Sequence, residues 1–120
     1  MKKIAVALGA GLTLLAGPLP PAQATTFAAW QVADVPWGDT LNVRKYPSSQ
    51  SQKQSAYSNG TVLQMTGRCT DGIDLLSMAS DNPDDQRAAV RYRWCEIWHD
   101  PGNSGTFATG WVYGRYISPL

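Results

Sequence analysis

The sequence is poor in the residues from which most catalytic and metal sites are built. It contains one histidine, His99, and two cysteines, Cys69 and Cys95. A cysteine peptidase needs a free thiol beside a histidine, but four residues of a predicted strand separate Cys95 and His99 by about 13 Å. A zinc site on the same three residues lacks a fourth ligand and the usual cysteine spacing. We therefore expect no cysteine enzyme, no resident metal and no cofactor.

An excess of charge of one sign is also missing. The chain has ten basic and nine acidic residues, and Lys2 and Lys3 belong to a segment that we expect to be removed. The remaining eight basic and nine acidic residues give a net charge of −1. Because no basic stripe is left, nucleic acid is not an expected partner.

Acidic pairs suited to glycoside hydrolysis are present but have little support. Such an enzyme needs two carboxylates that face each other across a cleft of about 5–10 Å, and a domain with one small core offers little cleft. Asp84 and Asp85 also follow a proline, where acidic residues stabilise the start of a helix. The pairs that lie close in sequence are Asp71/Asp74, Asp84/Asp85 and Glu96/Asp100.

The one long apolar run lies at the N-terminus. Lys2 and Lys3 precede the apolar segment Ile4–Ala16, and Ala22–Ala24 forms a small-residue cleavage site. This order is typical of a secretory signal peptide, and it predicts cleavage after Ala24. A helix over the apolar run would be about 20 Å long, which is short of a membrane core of about 30 Å. An uncleaved membrane anchor is the alternative.

The predicted organisation is a signal peptide over residues 1–24 and a single domain over residues 25–120. The length of the second part suits one domain, and it contains no further apolar run long enough to cross a membrane. We therefore expect a protein of the periplasm, or a secreted one, with no integral membrane segment after cleavage. In such a compartment the pair Cys69 and Cys95 predicts a disulfide, with two buried free thiols as the alternative.

Short segments of alternating or β-rich composition predict strands. Trp30 and Val32 belong to a lead-in that forms a first strand or packs on the domain. Asn59–Gly60 is a turn signal, Gly67 predicts a break or bulge, and the polar stretch Lys45–Asn59 predicts an exposed loop. The strand segments are Leu41–Arg44, Thr61–Thr66, Val90–Trp98 and Gly110–Tyr113.

The segment between the two cysteines has a different periodicity. Ile73, Leu76 and Ala79 recur at helical spacing. Asn82–Asp85 combines a capping side chain, a proline in the first turn and acidic residues at the positive end of the helix dipole. We expect one or two short helices within residues 70–90.

Five segments carry a resemblance to a known family, and they are Leu41–Arg44, Pro47–Ser48, Asn59–Val62, Trp94–Trp98 and Gly110–Ile117. In this order and spacing they resemble the bacterial SH3-like (SH3b) domain, over about residues 34–118. That family has a leucine-asparagine-valine-arginine strand, a proline-serine loop and a closing glycine-tryptophan-valine segment. Between Cys69 and Trp94 the family usually has a short hairpin connection, whereas this chain carries a longer segment of helical character.

The resemblance implies a mainly β fold, a small SH3-like barrel with a short α-helical insertion at about residues 70–90. Family members commonly bind peptidoglycan or peptides and rarely catalyse a reaction. The chain is thus expected to be a non-enzymatic exported binding module for peptidoglycan or other cell-envelope material. The alternative is a periplasmic protein-interaction or inhibitor domain that meets an envelope protein through the insertion. A small wall hydrolase is a third, disfavoured possibility.

Aromatic residues supply the candidate binding surface. Exposed rings stack on sugars or pack on peptide backbones at low entropic cost, and an arginine can clamp a carboxylate. We expect Trp94, Ile97 and Trp111 to point into the core. We also expect a ligand groove between loop 44–58 and the strand ends near Trp98 and Tyr113. The candidate ligand-binding residues are Trp37, Arg44, Tyr46, Trp98 and Tyr113.

Overall fold

The computed structural model describes residues 28–120. The predicted signal peptide and its cleavage site at Ala24 lie outside these residues. Within the described part, seven strands form one antiparallel sheet, accompanied by one α-helix and three short 3-10 helices. This confirms a mainly β fold. In residues 28–120 no helix has both the length and the apolar character needed to cross a membrane.

The order of the strands in the sheet differs from their order along the chain. The sheet order is β3-β2-β6-β5-β4-β1-β7, so β3 and β7 form its two edges. Short connections join the consecutive strands that are distant in the sheet, β3 to β4 and β6 to β7, whereas the longest connection joins the sheet neighbours β4 and β5. The strands are β1 (Ala28–Val32), β2 (Leu41–Arg44), β3 (Lys53–Tyr57), β4 (Val62–Cys69), β5 (Trp94–His99), β6 (Ala108–Tyr113) and β7 (Ile117–Pro119).

Strand β3 corrects one prediction, because the polar stretch Lys45–Asn59 is not a loop throughout. Leu41 of β2 pairs with Tyr57, and Val43 pairs with Ser55. The sequence of β3 does not show the alternation of apolar and polar residues that predicts a strand. An edge strand can pair along one side without that alternation. The remaining predicted strands are confirmed, although β5 begins at Trp94 rather than Val90.

The core lies against one face of the sheet. Alternate residues of each central strand point to this face, as expected for a strand with one buried side. Leu75 and Val90 cover it from the segment between β4 and β5. The fully buried strand residues are Val32, Val43, Met65, Cys95, Ile97, Val112 and Ile117.

The segment between β4 and β5 contains short helices, but Ile73 and Ala79 of the periodic pattern lie outside them. It consists of 3-10 helices over Thr70–Gly72 and Leu75–Met78, followed by the helix α1 (Pro83–Val90). The side chain of Asn82 caps α1, because it accepts a hydrogen bond from the backbone N–H of Asp85 at 3.0 Å. The helix start predicted from this sequence is therefore confirmed.

A disulfide joins Cys69 of β4 to Cys95 of β5, so the predicted bridge is formed and neither thiol is free. The strand register changes immediately before it. Met65 pairs with Ile97 and Cys69 with Cys95, which leaves three residues of β4, Thr66–Arg68, opposite Glu96 alone. Gly67, at φ +103°, allows this bulge. The break predicted at Gly67 is therefore a bulge inside a longer strand.

Gly114 fixes the C-terminal end of α1 against the end of β6. Its N–H donates to the carbonyl oxygen of Arg93 at 2.7 Å. A Cβ at this position would overlap the carbonyl oxygen of Val90 and lie 2.8 Å from its carbonyl carbon. Only glycine permits this approach of two backbones.

Candidate functional site

The outer face of the sheet, which points away from the core, carries a row of chemically distinct side chains. Arg44 of β2 pairs with Trp111 of β6, and Trp111 pairs with Glu96 of β5. Tyr113 pairs with Trp94 in the next row. Because directly paired residues share a face, all five side chains lie on the outer face.

This register corrects the prediction that Trp94 and Trp111 point into the core. Cys95 and Ile97 point to the inner face of β5. Because successive residues of a strand point to opposite faces, Trp94 points to the outer face. Trp111 is buried at 9% exposure, but it lies outside the core cluster. The guanidinium of Arg68 covers its ring at 5.5 Å from the centroid. Of the three residues expected inside, only Ile97 belongs to the core.

A groove of about 510 Å³ runs along one end of the outer face, and we call it the aromatic groove. Its defining residues are Arg44, Trp94, Tyr113 and Tyr116, and the loop between β1 and β2 forms its other wall. The ring centroids of Trp94 and Tyr113 are 5.3 Å apart, and those of Tyr113 and Tyr116 are 6.4 Å apart. These three rings provide an apolar floor on which a flat or extended ligand could pack.

Arg44 adds an anion-binding group to this groove. The side chain is half-buried, and its Nη1 donates to the carbonyl oxygen of Ser51 at 3.0 Å. Within residues 28–120 no carboxylate lies within salt-bridge distance of it. The guanidinium is therefore held in one place and keeps N–H groups for a ligand carboxylate.

The wall opposite the rings is fixed by Asn59. Its side-chain oxygen accepts from the N–H of Val35 at 3.0 Å, and its amide donates to the carbonyl oxygen of Val35 at 2.9 Å. Arg87 of α1 also pairs with Asp34 of the same loop. Because the loop is already held at two points, it loses less conformational entropy on ligand binding than a free loop would. The sequence marks Asn59 only as a turn residue, and the second role depends on a residue 24 positions away.

A second, larger depression of about 980 Å³ lies between the β4 bulge, the first two 3-10 helices and the start of the β2–β3 loop. We call it the charged groove. Trp111 and Tyr46 contribute aromatic rings to it, and the Nζ of Lys45 lies 5.6 Å from the ring centroid of Tyr46. Its charged residues are Lys45, Arg68, Asp71, Asp74 and Glu96.

Each of the three carboxylates of the charged groove has a different partner. Asp71 forms an ion pair with the Nε of Arg93 at 3.2 Å. Asp74 accepts from the N–H of Leu76 at 3.0 Å and so caps a 3-10 helix. Glu96 accepts only one side-chain hydrogen bond, from the hydroxyl of Thr66 to Oε1 at 3.0 Å. Glu96 is half-buried, whereas Asp71 and Asp74 are exposed, so its charge gains most from a ligand cation.

The structure divides the five candidate residues among separate places. Arg44 and Tyr113 meet in the aromatic groove, and Tyr46 lines the charged groove. Trp98 is 42% exposed and lines a third, small depression of about 160 Å³. Trp37 is fully exposed and lines none of the three. One groove uniting loop 44–58 with both Trp98 and Tyr113 is therefore not formed.

Trp94 and Tyr116 are the aromatic groove residues that the sequence prediction missed. For Trp94 a signal was present, because Ile97 was expected to point into the core, and residues three apart on a strand face opposite sides. Tyr116 lies in a 3-10 helix over Gly114–Tyr116. The strand periodicity of β6 does not extend to this turn, so its position could not be read from alternation.

His99 has a structural environment. It is buried, and its Nε2 lies 3.2 Å from the side-chain oxygen of Gln54, the extra residue of a bulge in β3. Burial lowers the pKa of His99, and the nearby Asp100 opposes this change. Hydrogen bonds from the loop, first that of the Ser104 N–H, lower the pKa of Asp100. In residues 28–120 no group of three potential ligand side chains could hold a metal ion.

The chain was also compared with known proteins. No protein-family model, curated protein or solved structure matches it. A proposal for function therefore rests on the chemistry of the two grooves and on the fold that positions them.

Proposed function

We propose that the chain is an exported, non-enzymatic binding module that recognises peptidoglycan or other cell-envelope material through the aromatic groove. One observation carries the proposal: an arginine without a carboxylate partner in residues 28–120 stands beside three clustered aromatic rings. Peptidoglycan combines sugar rings with short peptides that bear carboxylates. Rings and arginine together suit such a ligand.

The fold proposal is an SH3-like barrel with a helical insertion between the cysteines. It is supported by the antiparallel sheet and by the placement of two resembling segments, Leu41–Arg44 and Gly110–Tyr113, on the neighbouring strands β2 and β6. The disulfide supports export, because such bonds persist in oxidising compartments. Export through the signal peptide over residues 1–24 is part of the same proposal.

The size of the aromatic groove also supports a small ligand. Its volume of about 510 Å³ lies within the usual range of about 300–1,000 Å³ for small-molecule sites. A disaccharide or a short peptide fits this volume. A preformed wall and a held guanidinium favour binding without rearrangement.

Co-sedimentation with purified peptidoglycan sacculi tests the proposal. Residues 25–120 should pellet with sacculi, and Trp94→Ala should lower the apparent affinity about tenfold, which corresponds to about 1.4 kcal/mol. Trp98→Ala is the matched control, because Trp98 lies on the same strand and face but outside the groove. Near-UV circular dichroism checks that both variants are folded. A wild-type protein that stays in the supernatant, or equal losses in both variants, would contradict the proposal.

A second candidate is a protein-interaction domain that meets an envelope protein through the helical segment. Leu76 and Tyr92 favour it, since they are 46% and 69% exposed at the two ends of this segment. A stoichiometric partner should co-purify with the wild type and be lost in the double variant Leu76→Ser/Tyr92→Ser. Retention of the partner by that variant would contradict this candidate.

Wall hydrolysis stays disfavoured because the carboxylate of Asp100 is hydrogen-bonded within its own loop. Its two carboxylate oxygens accept hydrogen bonds from the N–H groups of Ser104 and Gly105, at 3.0 and 2.7 Å. This carboxylate holds its own turn together. It is therefore a poor partner for Glu96 in acid–base catalysis.

A further inference from the structure

The row Arg44–Trp111–Glu96 places opposite charges on two sides of one tryptophan. Neighbouring strands lie about 4.8 Å apart, so the backbones at Arg44 and Glu96 are about 10 Å apart across β6. Arg44 lines the aromatic groove, and Glu96 and Trp111 line the charged groove. The two grooves therefore meet along this row.

The guanidinium of Arg44 and the carboxylate of Glu96 are each held by one hydrogen bond and can form more. Arg44 donates one hydrogen bond to Ser51, and Glu96 accepts one from Thr66, each at 3.0 Å. Both side chains are half-buried, and neither forms a salt bridge with any residue in the described part of the chain. A partly desolvated charge is stabilised by an opposite charge from a partner. The described part of the chain supplies no such partner, so a ligand can supply it.

Arg68 occupies the space above the middle of the row. Arg68 belongs to the β4 bulge, and its guanidinium lies over the ring of Trp111 at 5.5 Å from the centroid. The side chain is exposed, and a cation on an aromatic face is weakly held at an exposed site. Arg68 can thus be displaced by a ligand that crosses Trp111.

We propose that the ligand is a zwitterionic peptide segment that spans both grooves, with its carboxylate on Arg44 and its ammonium on Glu96. An extended chain rises about 3.3 Å per residue, so three residues match the separation of the row. This deepens the proposed function and rests on it, since it selects the peptide part of the envelope over the glycan part. The required ligand has a free amine and a free carboxylate at the two ends of about three extended residues.

Trialanine with free termini is a suitable probe, and N-acetyl-trialanine and trialanine amide are its matched controls. Calorimetric titration of residues 25–120 should give binding to trialanine, weakened at least about tenfold by acetylation or by amidation, because each removes one charge-assisted hydrogen bond. Glu96→Gln should weaken trialanine to the same extent but leave N-acetyl-trialanine unchanged. Arg44→Gln should behave likewise towards trialanine amide. Trp98→Ala should bind like the wild type.

Equal binding of trialanine and its acetylated form, or no heat at about 10 mM peptide, would overturn the inference. Co-sedimentation with sacculi distinguishes failure of this inference from failure of the proposed function. If sacculi pellet the wild type and Glu96→Gln equally, the groove takes the glycan, so the inference fails and the proposed function stands. If trialanine binds as described but sacculi pellet neither protein, the envelope function fails and the peptide specificity stands.

Discussion

Reduction of the Cys69–Cys95 disulfide should lower the free energy of unfolding by about 3.5 kcal/mol. The bridge spans 26 residues, and this is the loop-closure entropy that a crosslink of that length removes from the unfolded chain. In a domain of this size, 1 kcal/mol corresponds to about 4–8 °C in Tm. The reduced protein should therefore melt about 14–28 °C below the oxidised one.

The effect should act through the unfolded chain because the folded packing barely changes on reduction. Cys95 is fully buried and Cys69 is almost so, hence both thiols stay in the core. The strands on either side also remain paired, with Met65 opposite Ile97. The segment freed by reduction carries the helical region between β4 and β5, which has only Leu75 and Val90 fully anchored in the core.

Thermal and urea unfolding, followed by tryptophan fluorescence with and without reductant, measure this change. The double variant Cys69→Ala/Cys95→Ala is the control, since reductant should leave its Tm unchanged. The urea slope of the reduced wild type should rise slightly, because an uncrosslinked chain exposes more surface. A wild-type shift smaller than about 5 °C would refute the loop-entropy argument and imply that the unfolded chain keeps this segment closed.

Three further predictions concern other parts of the fold. Gly114→Ala should cost more than about 4 kcal/mol, seen as loss of the cooperative melting transition, because its Cβ would overlap the Val90 carbonyl; an intact transition would contradict this. Asn82→Ala should cost about 1 kcal/mol in urea unfolding by removing the cap of α1, whereas Asn82→Asp should not. Burial lowers the pKa of His99, so stability should be full above the ordinary histidine pKa of about 6.5 and fall as the pH drops below it. The urea midpoint should thus be lower at pH 5.5 than at pH 7.5 in the wild type, and this difference should shrink in His99→Gln.

Local chemistry made several elements predictable from the sequence. The capping pattern at Asn82 indicates the start of α1, and the glycine at position 67 indicates a break or bulge in β4. Alternation specifies the buried face of β2 through Leu41 and Val43. Each of these signals depends on residues within one turn or one strand, so a single sequence is enough to read it.

The composition of the site depends on contacts between distant residues, so it was predictable only in part. Arg44 and Tyr113 were identified as binding candidates, and they share a groove because β2 and β6 are neighbours in the sheet. Trp98 was assigned to the same groove, but it lies four residues farther along β5, on the same face and outside the groove. Gly67 indicates a break or bulge in β4, but the contact of Arg68 with Trp111 also depends on the order of β4, β5 and β6 in the sheet, which no local pattern reveals.

The two edges of the sheet bear on how the protein behaves at high local concentration. An exposed edge strand can recruit another chain and begin aggregation. Strand β7 has three residues and ends at Pro119, which has no N–H to offer an incoming strand. Strand β3 begins with the charged Lys53 and is interrupted by the bulge at Gln54. Both edges thus resist intermolecular strand pairing, and the molecule should remain dispersed when many copies crowd on one surface.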